Sequence, residues 1–397
     1  MSLPLAGTTI LAVEQYGAGP FGTMLLADLG AEVIKIENPA DGGDMARGVG
    51  PHFLEDGSSQ FFHSFNRNKR SLTLNLKAPE GREVFHRLVT GADAVLNNLR
   101  GDLPAKLGLD YPNLSAVNAA IVCVHLSAYG REGPRADWPG YDYLMQAEAG
   151  YLSVTGEPDG PPARFGLSVV DMMTGLMSAF ALTSGIIGAR ATGKGGDLDT
   201  SLFDTALHNL SYLATWYLNA GVSQGREPRS AHPSLTPSQL YRTNDGWLFV
   251  MCNKEKFWPI LAEALDHPEW AEDPRFATFN ARLANRSKMT ELIDGILSER
   301  TTAEWLALLQ GVAPVAPVLD VAGALDNPFV RTSDRIAEFK TQDGSQIAML
   351  SGPVRIADQA PEPPLAGPAL GADTDEILRR HGYDDRQIAV LRKKAII

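Results

Sequence analysis

The chain has 397 residues, 44% of them hydrophobic, which leaves room for about two to three domains with a sizeable core. A formal charge of -12 and a pI near 5.2 speak against nonspecific binding to nucleic acid or to an anionic membrane, although a local basic pocket for a phosphorylated ligand is compatible with them. Cys123 and Cys252 are the only cysteines, and the eight histidines lie apart with no H-E-x-x-H or H-x-x-E-H pattern, so neither a disulfide framework nor a metal site is expected.

The opening MSLPLAGTTI lacks the basic region of a secretory signal, and with two isolated thiols it predicts a cytoplasmic protein. From Thr8, the stretch TTILAVEQYGAGPFGTMLLADLGAEVIKIENP reads as a strand, a glycine turn, a helix from about Pro20, a stop near Gly30 and a strand over Glu32–Glu37. That is a βαβ unit. Within it, residues Gly17 to Gly22 satisfy G-x-G-x-x-G between strand and helix, with Glu37 about twenty residues on. Glycines there let backbone amides at a helix N-terminus approach a phosphate. The motif fits a nicotinamide dinucleotide, another nucleotide ligand, or only a tight turn.

Further on, SLTLNL alternates as a strand, APEGREVFHRLV opens as a helix should, ADAVLNNL is strand-like, and AAIVCVHLS suits a strand buried on both faces. The basic cluster NRNKRS just before SLTLNL is either a solvated face or a phosphate contact. GARATGKGG imitates a P-loop but has Gly195 where Ser or Thr should stand and follows a helix, so it is rejected. Strand and helix alternate to about residue 205, which argues an α/β domain with a mainly parallel sheet.

FGLSVVDMMTG places Asp171 among valines and methionines, and the residues from Met172 to Ala189 carry no acid or lysine or arginine. Thr174, Gly175, Ser178, Thr183, Ser184, Gly185 and Gly188 make this segment too small and polar for lipid, so a buried helix of a soluble core is expected, with Asp171 in its first turn. Ser168 and Asp171 fit S-x-x-D, a capping box, and an acid there also favours the helix dipole. A chemical role for Asp171 remains open on spacing alone.

After about residue 220 the texture changes. Residues 206–224 read as a linker, continued by SQGREPRSAHPSLTPSQ, and LYRTNDGWLFVMC reads as a hairpin through Asn244, Asp245 and Gly246. A smaller domain is expected over 225–325. Residues 326–397 read as a further linker and a return to α/β texture, with APEPPLAG, Ala360 to Gly367, as a proline-stiffened connector.

Taken in order, AGPFGTMLLADLGAEVIKIE, GGDMARG, NRNKRSLTLNLKAPEGRE, ADAVLNNLR, KLGLDYPNL, AYGREGP, GYDYLMQAEAG, SVVDMMTG, RATGKGGDLDTSLFD, HPSLTPSQLYRTNDGW and DPRFATFNAR resemble the class III CoA-transferase family, the formyl-CoA transferase-like or carnitine- and bile-acid-inducible group. The resemblance covers nearly the whole chain. It implies an α/β fold with a large Rossmann-like domain built from both chain ends (1–205 and the final segment), a smaller α+β domain, and two ring-shaped subunits interlocked as a homodimer. It also implies transfer of CoA from an acyl-CoA to a carboxylic acid, with Asp171 as nucleophile forming an acyl-aspartyl anhydride and then an aspartyl-CoA thioester. CoA and acyl-CoA are then substrates, with no permanently bound cofactor and no nucleic-acid or membrane partner.

By the same resemblance CoA contacts fall at Gly17, Ala18, Leu74, Asn75, Lys77, Asn97, Asn98, Leu99 and Lys106, with Tyr129 and Gly130 close to the reaction. Some formyl-CoA transferases have glutamine where this chain has Gly17 and carry a glycine-run loop absent from its sequence, which speaks against formyl and oxalyl substrates. An α-methylacyl-CoA racemase shares the aspartate but uses the histidine of a G-H-D motif. That position reads Gly140-Tyr141-Asp142 in this chain, and a tyrosine with a reference pKa near 10 is a poor base at neutral pH. A NAD-dependent dehydrogenase and a noncatalytic acyl-CoA-binding protein are the remaining alternatives.

Overall fold

The computed structural model describes residues 3–356 and 364–397, which group into two compact units. The first comprises Met1–Ala149, Gly166–Ser211 and Thr332–Ile397, and the second Gly150–Phe165 and Tyr212–Arg331. The first half of the proline-stiffened connector, residues 360–363, lies outside the described residues.

The first unit is built on six strands: β1 (Thr9–Val13), β2 (Glu32–Glu37), β3 (Arg70–Thr73), β4 (Ala94–Asn97), β5 (Val122–Ser127) and β6 (Gly196–Ser201). They lie in the order β3-β2-β1-β4-β5-β6 and every pair is parallel. Because side chains alternate across a strand, Leu11 faces one layer while Ile10 and Ala12 face the other. The Leu11 face packs with Val84, Phe85 and Leu88 of the helix Pro79–Val89, and with Ile377, Leu378 and Ile388 from the end of the chain. The opposite face is covered by α1 (Ala18–Asp28) and by the helix Val169–Thr192, through Leu26, Ala179, Leu182 and Ile186. Both faces are covered, which is why β4 and β5 are buried at every position and largely apolar.

The chain end returns to this unit through specific bonds at the outer strand. Ser71 N–H donates to Asp373 Oδ2 at 2.9 Å and Thr73 N–H to Thr374 Oγ1 at 3.0 Å. The second unit holds an antiparallel sheet of β7 (Ser238–Arg242), β8 (Trp247–Met251) and β9 (Val315–Pro317), with Tyr241, Trp258, Phe276 and Trp305 in its core. Its hairpin turns at the expected Asn244-Asp245-Gly246, closed by Thr243 N–H to Gly246 O at 3.0 Å.

Some expectations change. Residues 206–224, read as linker, are mostly helical, in Leu202–His208 and Ser211–Ala220. Gly150–Phe165, expected in the large domain, groups with the second unit, where Arg226 donates to Gly160 O and Arg229 N–H to Glu157. The helix Val169–Thr192 is buried along one face only. Thr174, Gly175 and Ser178 point inward, whereas Leu176, Met177, Phe180 and Ile187 are at least 41% exposed.

Candidate active site

The strand order reverses between β1 and β4, and ligands of open parallel sheets bind at the carboxyl ends of the strands beside such a reversal. A cavity of about 340 Å³ opens there. Gln15 to Ala18 line it after β1, Asn98 and Leu99 after β4, and Ser127 and Ala128 at the end of β5, with Trp138 to Tyr141 and Asp171 completing the wall.

Asp171 reaches the cavity because it sits in the first turn of its helix. Ser168, placed as N-cap, makes no side-chain cap, so the expected capping box is absent. Asp142 does that work from the neighbouring helix Asp142–Glu148: its Oδ2 accepts the Asp171 N–H at 2.9 Å, while its Oδ1 accepts from Gln146. Asp142 is 4% exposed. The Asp171 carboxylate itself accepts no hydrogen bond from the described residues. Burial, and then the charge of Asp142, push its pKa up to about 7. An acid in the first turn favours the helix dipole, yet burial and a like charge raise the pKa of this one.

Glycine sets how close the elements come. A Cβ at Gly17 would stand 2.9 Å from Asp171 Oδ2. One at Gly22 would lie 2.3 Å from Gly175 O, and one at Gly175 2.5 Å from Ala18 O, so α1 and the Asp171 helix meet backbone to backbone. The G-x-G-x-x-G glycines thus make room for a carboxylate and for helix packing, as well as leaving the start of α1 open.

Of the residues expected at the site, Gly17, Ala18, Asn98, Leu99 and Asp171 line the cavity. Asn75 and Lys77 follow β3 along the same sheet edge, outside the cavity. Two side chains are turned away from it. Leu74 is 1% exposed in the core, and Asn97 is fully buried with Nδ2 2.8 Å from His125 Nδ1. Lys106 is exposed and paired with Asp102 at 2.7 Å. Tyr129 donates to Glu148 at 2.7 Å and stands edge-on to Trp138, and Gly130 bonds Ser127 Oγ at 2.8 Å, so both flank the wall. Asp142 was read from the sequence only as the end of a motif, and its role emerges from a contact across 29 residues. Tyr16 and Trp138 were not anticipated; the one available signal was an aromatic residue just ahead of a glycine, Tyr16 directly before Gly17 and Trp138 two residues before Gly140.

An α/β enzyme with a half-buried, unbonded carboxylate in a cavity at the sheet's reversal point is thereby defined. The family described as CoA-transferase family III matches residues 5–374, and the chain belongs to it. Among curated relatives, it is 33% identical over 384 residues to a succinate–glutarate CoA-transferase of Agrobacterium fabrum, covering 94% of this chain and 95% of that one. It is 31% identical over 399 residues to the succinyl-CoA:glutarate CoA-transferase of Homo sapiens, covering 99% and 90%. A solved CAIB/BAIF family protein from Brucella suis superposes with a TM-score of 0.82 at 34% identity, covering 96% of this chain and 100% of that one. The protein is a CoA-transferase, moving CoA between an acyl-CoA and a carboxylic acid, and the dehydrogenase, racemase and binding-only readings give way to that activity.

Proposed function

We propose that Asp171 is the nucleophile of this transfer. The observation that carries the reading is its carboxylate, free of hydrogen bonds from the described residues and set against Gly17 in the cavity. A desolvated carboxylate with a raised pKa is a stronger nucleophile than a hydrated one. Its Oδ attacks the thioester carbonyl of the acyl-CoA, and the C–S bond breaks to give an acyl-aspartyl anhydride and CoA thiolate. The thiolate then attacks the aspartyl carbonyl, releasing the donor acid and leaving an aspartyl-CoA thioester. An acceptor carboxylate attacks that carbonyl, expels the thiolate again and forms a second anhydride. Attack of the thiolate on the acceptor's own carbonyl yields the new acyl-CoA and restores Asp171. The anhydride keeps the acylating power of the thioester, so no ATP enters.

Each step develops an oxyanion. On this reading it is received by backbone N–H groups at the start of α1, where Gly17 lies against the Asp171 carboxylate. CoA runs from the cavity along the carboxyl edge of the sheet, with Asn98 at the cavity and Lys77 and Lys106 supplying charge for its phosphates. Leu74 and Asn97 take part only through their backbone. The relatives' names favour succinyl-CoA as donor and a dicarboxylic acid as acceptor.

The exposed apolar stripe Leu176, Met177, Phe180 and Ile187 supports a homodimer, which we take to be interlocked. The test is hydroxylamine trapping with succinyl-CoA: wild type is modified at Asp171, and Asp171→Ala loses transfer while still binding CoA. Retained exchange in that variant removes the assignment.

A further inference from the structure

Tyr16 stands at φ 69°, a left-handed conformation that a bulky residue keeps only where its surroundings hold it. Successive backbone groups around it each meet a side chain. Glu14 O accepts from Lys35 Nζ at 3.0 Å, and Gln15 N–H donates to Asn98 Oδ1 at 2.9 Å. Gln15 O accepts from Asn98 Nδ2 at 2.7 Å, and Tyr16 N–H donates to Asp44 Oδ1 at 3.0 Å. Lys35 and Asp44 are joined in turn, Nζ to Oδ2 at 2.8 Å, with both side chains wholly buried. Lys69 and Thr23 close the cluster on the Glu14 carboxylate at 2.7 and 2.8 Å.

Buried ions are a poor source of stability, because desolvation offsets most of their attraction. This cluster supplies geometry instead. One ammonium grips both the carbonyl that enters the turn and the carboxylate that holds the N–H within it. The next residue is Gly17, whose close approach to Asp171 defines the cavity wall. We propose that Asp44, anchored by Lys35, is a positioning residue for CoA transfer: it locks the turn at Tyr16 and so sets the Gly17 and Ala18 amides against the reacting carboxylate. This rests on Asp171 as nucleophile, which trapping in the wild type checks separately.

The test compares two double variants of equal charge, Lys35→Met/Asp44→Asn and Lys35→Met/Asp44→Ala. Only the first keeps an oxygen for the Tyr16 N–H. With succinyl-CoA, single-turnover modification of Asp171 should be about 10- to 100-fold slower in the alanine double than in the asparagine double, the scale on which a small misplacement acts. The dissociation constant for CoA, read by calorimetry, should match between the two within about threefold, because binding does not need the reacting geometry. Equal rates in the two doubles, or a loss of CoA affinity as large as the loss of rate, overturns the proposal. If the alanine double does not fold, Lys35→Met/Asp44→Leu takes its place, filling the volume of asparagine without an acceptor for the Tyr16 N–H. It must then show slower modification than the asparagine double at matching CoA affinity, and the absence of that split overturns the proposal equally.

Discussion

Asp142 Oδ2 accepts the backbone N–H of Asp171 at 2.9 Å, so the carboxylate that caps one helix is also the charge that helps lift the pKa of Asp171. The two effects separate in Asp142→Asn, which keeps an acceptor and removes the charge.

In the wild type the acylation rate should rise with pH through a midpoint near 7, as Asp171 becomes an anion. In Asp142→Asn the midpoint should move to lower pH, while remaining above the ordinary aspartate range because burial, the larger cause, persists. The check is the pH profile of kcat/KM with succinyl-CoA. An unmoved midpoint counts against the electrostatic role of Asp142.

Stability should carry the opposite signature. The folded-state pKa of Asp171 lies near 7, above its usual value, so between about pH 4 and 7 the folded protein holds a proton that the unfolded chain has lost. Its contribution therefore falls as pH rises through that window. Asp171→Asn, which never ionises, should melt higher than wild type at pH 8, with the gap closing toward pH 4. Parallel melting curves at both pH values contradict this.

Adding one methyl at Gly17 should damage chemistry more than folding. The Cβ of Gly17→Ala would meet Asp171 Oδ2 at 2.9 Å, and the carboxylate must shift to relieve it. A loss of about 10- to 100-fold in kcat with little change in melting temperature is expected. Gly22→Ala should do the reverse, since its Cβ meets the backbone oxygen of Gly175 at 2.3 Å and nothing flexible can yield. Urea unfolding should show a destabilisation of about 1–3 kcal/mol, as for other overpacked contacts.

CoA should raise the melting temperature by binding the folded state, and NAD at the same concentration should not. Lys77→Ala should reduce the CoA shift, since among the described residues its ammonium has no ion-pair partner and the proposed path of the phosphates follows that sheet edge. A shift with NAD and none with CoA would reverse the assignment of the ligand.

The apolar stripe on the Asp171 helix should be covered in solution. Light scattering should find a dimer that persists on dilution to nanomolar concentration, and Phe180→Arg, at a residue 66% exposed in the single chain, should weaken it or render the protein insoluble. A wild-type monomer at that dilution removes the interlocked dimer.

The strands, and the placement of Asp171 in a first turn, were legible because they follow from local periodicity. β2 spans Glu32–Glu37 as read, and α1 starts at Ala18, slightly before the expected Pro20, since Gly17 serves as its N-cap. Contacts between distant segments were not legible. S-x-x-D looks the same whether Ser168 caps the helix or Asp142 does. Asn97 and Asn98 are adjacent, and alternation at a strand end sends one to His125 and the other to Gln15, a choice that residue type does not reveal. The prolines and serines after residue 222 drew attention from SYLATWYLNA just before them, which is helical.

The Gly22–Gly175 contact gives the site a particular kind of tolerance. The separation between the start of α1 and the first turns of the Asp171 helix is set by main chain resting on main chain, so that on the proposed mechanism only the rotamer of Asp171 itself is left to adjust. Side chains around the mouth, Met45, Trp138 and Tyr141 among them, are then free to be exchanged for others that fit a longer, shorter or more polar acid. A lineage built this way can change what it carries while the reaction itself stays in tune.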